Sequence, residues 1–270
     1  MSIRLYQLDA FTDQLFAGNP AAVCPLTDWL ADEQMQRIAA ENNLAETAFY
    51  VRTDQGYHIR WFTPAVEVDL CGHATLAAAY VIFFLEDKPD TDHIFFDSRS
   101  GTLKVCREGD WLTLDFPADP VNKPPLLPPA LASSFDIKPA EVYKGKTDFL
   151  LVYEKQEDIE ELMPDMRELS TVPARGIIVT APGNDVDFVS RFFAPQVGID
   201  EDPVTGSAHT TLVPFWAGRL GKTQLTARQL SKRGGYLECK LHGDRVDISG
   251  KVQLYLKGEI LMDVLVSSGG

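Results

Sequence analysis

Glu46 combines a residue type and surroundings that suit proton chemistry. It ends the polar segment NNLAE and leads, through Thr47, into the apolar run AFYV. A carboxylate at the mouth of a buried strand is a candidate for a raised pKa, because burial disfavours its charged form. Such a carboxylate can serve as a general acid or base. A solvated loop glutamate is the alternative, and the residues around Glu46 leave it open.

Cys71 and His73 flank Gly72 in the segment DLCGH, which directly precedes an apolar stretch. If that stretch is a helix, both side chains lie at its N-terminus, where the dipole lowers the pKa of a thiol and disfavours an imidazolium. The plainer interpretation makes Cys71 a small buried residue and His73 a cap or turn residue.

The segment DEDPVTGS ends at Ser207 and contains three carboxylates in succession, that of Asp202 among them. Such a run is usually a solvated acidic turn. Here it precedes a second apolar stretch, which begins after Gly206, and a helix N-terminus stabilises negative charge. Asp202 and Ser207 are therefore candidate site residues.

These segments belong to a pattern that the chain contains twice. The second copy has three extra residues before its glycine, and its register then holds as far as Asp244. A period this long exceeds the roughly 20–50 residues of solenoid repeats, so it predicts two copies of one domain. In this alignment Ser207 corresponds to His73. The matched pairs include Phe62 and Phe193, Pro64 and Pro195, Gly72 and Gly206, Ala74 and Ala208, Gly109 and Gly243, and Asp110 and Asp244.

An apolar stretch follows each of the two repeated glycines. Residues 74–85 are apolar nearly all round, which predicts a helix buried on every side. The stretch is shorter than the roughly 20 apolar residues of a membrane span. Free backbone N–H groups gather at a helix N-terminus and suit a carboxylate. Two such starts, at Gly72 and Gly206, would meet one anionic ligand if the copies are related by a pseudo-twofold axis.

Composition narrows the class of partner. The chain has 25 Lys and Arg against 39 Asp and Glu, a formal net charge of −14, which argues against nucleic acid or an anionic membrane as partner. The four cysteines form no CxxC pair, the five histidines form no cluster, and neither a GxGxxG nor a P-loop motif occurs. We therefore expect no metal and no nucleotide cofactor. The N-terminal segment MSIRLYQLDAF lacks a signal-peptide core, so a cytoplasmic location is expected.

The pattern of short alternating segments predicts an α+β fold, with a sheet wrapped around each apolar helix. Residues 11–24 are predicted to form a loop returning into a strand, with Asn19 as a turn former and contact with a ligand as its alternative role. The proline-rich segment 117–129 is the predicted linker. The expected domains are 1–117 and 119–258, the first completed by a C-terminal strand near 259–266.

The remaining predicted elements are two helices and a series of strands. The helices are expected over 32–43 and, in an acidic segment, over 157–163. The strands are expected over 3–9, 48–52, 58–62, 93–97, 102–107 and 111–116, with counterparts in the second copy, and over 252–256 and 259–266 in the tail.

Four motifs give the chain a family resemblance. In order they are AFTDQLFAGNPAAV, NLAETAFYV, RWFTPAVEVDLCGHATL and RFFAPQVGIDEDPVTGSAH. Together they resemble the phenazine-biosynthesis PhzF-like family, a branch of the diaminopimelate epimerase fold. The resemblance implies two pseudo-symmetric lobes, each a curled mixed sheet around a central helix, with the active site in the cleft between them. It also implies a homodimer and no cofactor.

The resemblance assigns expected roles to individual residues. Glu46 matches the family's catalytic acid/base, and His73, Asp202 and Ser207 match its supporting polar residues. Gly72 and Gly206 match glycines whose backbone faces the ligand. We include Asn19 and Cys71 as candidate contacts for a small carboxylate substrate.

One thiol separates this chain from the two-cysteine racemases of the wider fold. Cys71 occupies the first cysteine position, but Pro203 or Thr205 occupies the second. The sequence therefore predicts an isomerase that shuttles a proton with Glu46 alone. A non-catalytic binding or scaffold member of the fold is the alternative. A Cys71/His73 nucleophilic hydrolase is a further one, disfavoured because residues two apart across a helix start rarely meet and no orienting third group is evident.

Overall fold

The computed structural model describes residues 2–262, which form a mixed α+β fold. The strands are β1 (Ser2–Ala10), β2 (Asn19–Leu26), β3 (Glu46–Thr53), β4 (Gly56–Phe62), β5 (Glu67–Val68), β6 (His93–Ser98), β7 (Gly101–Glu108), β8 (Trp111–Pro117), β9 (Glu141–Lys144), β10 (Phe149–Val152), β11 (Ile177–Pro182), β12 (Phe188–Phe193), β13 (Gln224–Gln229), β14 (Gly235–His242), β15 (Arg245–Gly250) and β16 (Val252–Leu261). The helices are α1 (Asp32–Asn42), α2 (Gly72–Tyr80), α3 (Pro129–Ser133), α4 (Gln156–Glu161), α5 (Met166–Leu169) and α6 (Gly206–Leu220). No helix within residues 2–262 is both long and apolar enough to cross a membrane.

The described residues divide into two compact units. The first contains 2–15, 20–112 and 252–262, and the second contains 16–19 and 113–251. The division therefore falls inside β8 rather than in the proline-rich segment. The physical reason is that Thr113 already hydrogen-bonds Ser249 of β15, at 2.7 Å between the hydroxyl oxygens.

Both units repeat one order of strand pairing. In the first, β2 and β3 are parallel, β3 and β4 antiparallel, β4 and β6 parallel, and β6 and β7 antiparallel. In the second, the same four relations hold in turn among β10, β11, β12, β13 and β14. Each unit is thus built on a mixed sheet. In each unit one apolar helix lies between the third and fourth strands of this series, α2 between β4 and β6 and α6 between β12 and β13.

The two apolar helices begin at the repeated glycines. The first, α2, begins at Gly72, buries most of its residues against β1 and β3, and continues as a π-helical turn over Val81–Leu85. The second, α6, packs against β13, β14 and β15 and is followed by Gly221, whose φ of 67° provides the left-handed cap. The predicted N-termini of both helices are confirmed.

Two predicted elements near the chain ends are wrong. Asn19 is not a turn residue but the first residue of β2, and it is fully buried because its side chain has buried partners elsewhere in the second unit. The tail forms one strand rather than two within the described residues. Gly258 does not interrupt β16, because it pairs with Leu5 in a ladder that runs the length of β1. Residues 263–266 of the predicted second tail strand lie outside the described residues.

Two glycines give a test of the backbone geometry. Gly56 has a φ of +146°, and a Cβ there would lie 2.6 Å from the carbonyl oxygen of Phe95. Gly218 is an exposed residue inside α6, and a Cβ there would have no neighbour within 4 Å. We expect Gly56→Ala to lower the free energy of unfolding by roughly 2–4 kcal/mol. Gly218→Ala should raise it by roughly 0.5–1 kcal/mol, because alanine favours the helix. Chemical denaturation measures the free energy of unfolding of both variants. A Gly56→Ala variant as stable as the wild type would contradict the backbone conformation described at Gly56.

Candidate active site

Glu46 occupies the first position of β3, next to Ala21 in the parallel ladder with β2. Its side chain is only 13% exposed. The following residue, Thr47, is buried and accepts a hydrogen bond from Asn42 at the end of α1. The strand start is therefore held in place, and the alternative of a solvated loop glutamate is wrong.

Glu46, His73 and Cys71 form one buried cluster in the first unit. The Nε2 atom of His73 lies 3.1 Å from Oε2 of Glu46, and the exposed fraction of the His73 side chain is 7%. The Sγ atom of Cys71 lies 3.5 Å from Nδ1 of His73 and 4.0 Å from Nε2. Cys71 is the extended N-cap of α2, whereas His73 is already helical, and this change of backbone conformation turns the two side chains toward each other.

Charge in the cluster differs from the sequence-based prediction. Burial favours the neutral acid, but the His73 ring outweighs it and holds the pKa of Glu46 below its ordinary value. Burial also disfavours the imidazolium, but the neighbouring Cys71 and Glu46 raise the pKa of His73 well above its ordinary value, and we attribute this chiefly to the carboxylate. The predicted raised pKa of Glu46 and the predicted neutral His73 are therefore wrong, because each group's opposite charge compensates the other.

Cys71 is a thiol rather than a thiolate at neutral pH. Burial and the carboxylate of Glu46 raise its pKa to about 11. The lowered pKa predicted from the helix dipole is wrong, because both effects outweigh the dipole at this position.

One carboxylate oxygen of Glu46, Oε2, makes no hydrogen bond with standard geometry to the described residues. Oε2 of Glu46 is buried, and among residues 2–262 its close partner is Nε2 of His73 at 3.1 Å, an approach that pairs the charges but lacks hydrogen-bond geometry. A buried acceptor without a partner costs about 1–3 kcal/mol and calls for an explanation. An oxygen that must take up a proton is such an explanation.

A second polar cluster precedes α6 in the second unit. Asp202 accepts hydrogen bonds from Nδ2 of Asn19 (2.8 Å) through Oδ1 and from the hydroxyl of Thr205 through Oδ2. Gln229 joins the same cluster: its Oε1 accepts from the N–H of Thr205 and its Nε2 donates to the carbonyl of Asp202, both at 2.8 Å. The carboxylate of Asp202 thus fixes the segment that leads into Gly206.

Ser207 lies in the first turn of α6 and has a charged neighbour. Its hydroxyl accepts a hydrogen bond from Nη1 of Arg175 at 2.9 Å. Arg175 is in turn anchored by the buried carboxylate of Asp148, to which Nε and Nη2 both donate. A guanidinium, a hydroxyl and free backbone N–H groups therefore share one helix start, a combination that suits an anion.

The structure collects the predicted residues into two groups. The first unit holds Glu46, Cys71, Gly72 and His73, and the second holds Asn19, Asp202, Gly206 and Ser207. Sequence reasoning missed Arg175 and Gln229. Gln229 follows Leu225 and Ala227 on the buried face of β13, so a polar residue in an inward position was its signal. Arg175 has no comparable signal in the sequence, because its partner Asp148 is 27 residues away, just before β10.

Comparison with known proteins identifies the family. Residues 8–258 match the PhzC-PhzF family, described as phenazine biosynthesis-like protein. The chain is 53% identical to an uncharacterized isomerase of Pseudomonas aeruginosa, over 96% of this chain and 99% of that protein. A crystal structure of a PhzF-family phenazine biosynthesis protein from Enterococcus faecalis superposes with a TM-score of 0.93 and 45% identity, covering 97% of this chain and 100% of that one. The chain belongs to the PhzC-PhzF family.

A more distant structure defines the fold class. A predicted epimerase of Pseudomonas aeruginosa has a TM-score of 0.75 at 22% identity, and covers 97% of this chain and 100% of that one. This similarity concerns the fold alone, which is that of the diaminopimelate epimerases. The names of the relatives with higher identity support an isomerase-type activity for this chain.

The ion pair gives a prediction that nuclear magnetic resonance can test. In wild-type protein in metal-free buffer, the pKa of His73 should lie above 6.5, so the stabilisation from the pair is present below that pH and is lost as the pH rises through the folded-state value. In Glu46→Gln the pKa of His73 should fall, because the carboxylate that favours the imidazolium is gone and only Cys71 still opposes burial. The pKa of His209, which burial lowers to about 4, should not change. An unchanged pKa of His73 in the variant would contradict the pair.

The second cluster gives a stability prediction. Gln229→Leu leaves the N–H of Thr205 and the carbonyl of Asp202 buried without their partner, so it should lower the free energy of unfolding by about 2–4 kcal/mol. Gln224→Leu, on an exposed position of the same strand, is the matched control and should change stability by less than about 0.5 kcal/mol. Equal effects of the two variants in urea denaturation would show that Gln229 does not hold the start of α6.

Proposed function

We propose that the chain is a cofactor-independent isomerase that moves a proton between two carbons of a small carboxylate-bearing metabolite. The observation that carries this proposal is the open, buried oxygen of Glu46 beside His73. A general base needs a lone pair that no protein group occupies. Glu46 has one, and its lowered pKa keeps the carboxylate ionised at neutral pH, although it also makes the carboxylate a weaker base.

The proposed reaction balances with one base. Oε2 of Glu46 takes a proton from an acidified C–H bond, and the electron pair passes into the conjugated system of the substrate. The resulting carboxylic acid then returns the proton to another carbon of that system. No external oxidant, reductant or second base is required, which agrees with the single cysteine of the first unit's cluster.

Other residues hold the substrate in this proposal. His73, kept as an imidazolium, can stabilise the negative charge that develops on the substrate. The helix starts at Gly72 and at Gly206–Ser207 bind anionic groups. Asp202 acts by positioning, since both of its carboxylate oxygens accept hydrogen bonds from protein side chains. The shared cleft and the homodimer that the resemblance implies stay predictions.

A second candidate function has one observation in its favour. The expectation that Cys71 and His73 do not meet is wrong, since Sγ lies 3.5 Å from Nδ1 and Glu46 faces Nε2 as an orienting group. A thiol, an imidazole and a carboxylate in series are the parts of a cysteine hydrolase. The raised pKa of Cys71 weighs against this function, because the thiolate is the nucleophile.

Proton transfer itself is the test of the proposal. Cyclic, amino and unsaturated carboxylates are screened by thermal shift, since a ligand that binds the native state stabilises it. Compounds that bind are then incubated in D₂O, and deuterium incorporation at carbon is measured by mass spectrometry. The isomerase incorporates deuterium, whereas a non-catalytic binding protein binds the same compound without exchange.

Two variants separate the candidate chemistries. Glu46→Gln keeps the size of the side chain and removes the base, so the exchange rate should fall by about 10²–10⁴-fold. Cys71→Ala should leave the rate near that of wild type and cost about 1 kcal/mol of stability through lost packing. Circular dichroism and thermal unfolding provide the control that both variants remain folded.

The reverse result has a definite meaning. An active Glu46→Gln together with an inactive Cys71→Ala would replace the proposal by chemistry at the thiol. Full activity in both variants would exclude this cluster as the source of the base.

A further inference from the structure

The Glu46 cluster contains three different kinds of metal-ligating atom. A carboxylate oxygen of Glu46, the sulfur of Cys71 and a ring nitrogen of His73 all lie within 4.8 Å of one another. Two of the three residues are buried, and the open oxygen of Glu46 has no hydrogen-bond partner among residues 2–262. These features together point to a ligand with positive charge.

We infer that Glu46, Cys71 and His73 form a binding site for a thiophilic divalent cation of the Zn²⁺ type. The site goes beyond the proposed function, and binding at it does not depend on that function. Occupation would take the lone pair of Glu46 that the proposed proton transfer uses, so the cation would be an inhibitor rather than a cofactor.

Tetrahedral coordination at this cluster requires one side-chain rotation. With Zn–S of about 2.3 Å and Zn–N and Zn–O of about 2.0–2.2 Å, neighbouring ligands of tetrahedral Zn²⁺ lie about 3.3–3.6 Å apart. The separations here are 3.1 Å from Nε2 to Oε2 and 4.0 Å from Nε2 to Sγ. The first separation is within a few tenths of an ångström of that range. Sγ lies nearer to Nδ1 (3.5 Å) than to Nε2, beside the ring, so the Cys71 side chain must rotate about its Cα–Cβ bond to bring the sulfur to a cation held by Nε2 and Oε2.

Charge and softness favour Zn²⁺ over harder cations. A thiolate, a carboxylate and a neutral imidazole carry two negative charges, and a divalent cation cancels them inside a site with little contact with water. A thiolate and an imidazole select Zn²⁺ or Co²⁺, whereas Mg²⁺ prefers oxygen ligands alone. Three protein ligands also leave a fourth position for water or a small anion.

A second group of similar residues is a useful internal control. Asp115, His242 and Asp247 also lie within 4.8 Å of one another, but they contain no sulfur and His242 is exposed. Arg245 donates a hydrogen bond to Asp115, and a guanidinium, unlike the imidazolium of His73, cannot lose its proton to become a ligand, so a permanent cation lies beside that carboxylate. This second group should bind Zn²⁺ weakly or not at all.

Cobalt provides the direct test, because thiolate-bound Co²⁺ absorbs through sulfur-to-metal charge transfer. Full-length protein, treated with chelator and dialysed under reducing conditions, is titrated with CoCl₂. We expect one equivalent of Co²⁺ to produce the charge-transfer band and the visible absorption of a tetrahedral site. Zn²⁺ should displace the Co²⁺, and excess Mg²⁺ should not.

Four variants assign the ligands. Cys71→Ser should abolish the charge-transfer band, and Glu46→Gln should keep the band but weaken binding by at least about 10-fold. Cys106→Ser, at a partly exposed cysteine, and His242→Ala, in the second group, should leave both band and affinity unchanged. Glu46→Gln retains the test if Cys71→Ser fails to fold.

Several results would overturn the inference: no charge-transfer band in the wild type, a band that persists in Cys71→Ser, or an affinity that Glu46→Gln does not change. A band that disappears in Cys106→Ser would place the metal elsewhere. The deuterium exchange of the proposed function is measured in chelator without added metal, so failure of either idea is distinguishable from failure of the other.

Discussion

The ion pair between Glu46 and His73 is the interaction on which the first unit's site depends. Transferring either charge from water into the protein costs several kcal/mol, and only close opposite charge compensates for it. The start of β3 and the start of α2 must therefore be held at a fixed separation. The ladder between β2 and β3 fixes one side, and the burial of α2 against β1 and β3 fixes the other. Removing one partner leaves the other charge buried and unpaired.

The two units share a strand order but differ in the chemistry at corresponding positions. The first has Glu46 at the start of β3 and His73 after the helix glycine, whereas the second has Ile177 and Ser207 at the matching places. At these corresponding positions, only the first unit has two ionisable groups that face each other. The second unit instead contributes hydroxyl, amide and guanidinium groups that are held by hydrogen bonds. A duplicated domain has in this way become one proton-transferring half and one anion-holding half, within the proposal made above.

The sequence pattern predicts those features that depend on residues close together in the chain. Gly72 and Gly206 were identified as helix starts because the same polar turn and apolar stretch follow in both copies. The direction of the pKa shift of Glu46 was not predictable, because it depends on a histidine that approaches from another element. Asn19 was mistaken for a turn residue because its partners, Asp202 and the carbonyl of Val204, are far away in the sequence. Gln229 was missed although its inward position on β13 marked it.

The pairing of β16 with β1 has a consequence for folding during synthesis on the ribosome. β1 cannot form its ladder with β16 until nearly all of the rest of the chain has been synthesised. Residues 113–251, by contrast, are contiguous and make up nearly all of the second unit, so that unit has its full set of strands before β16 is added to the first. Until β16 arrives, one edge of β1 exposes backbone hydrogen-bonding groups that can pair with another chain. The order of translation thus makes the first unit the last to be completed, although most of its strands are synthesised first.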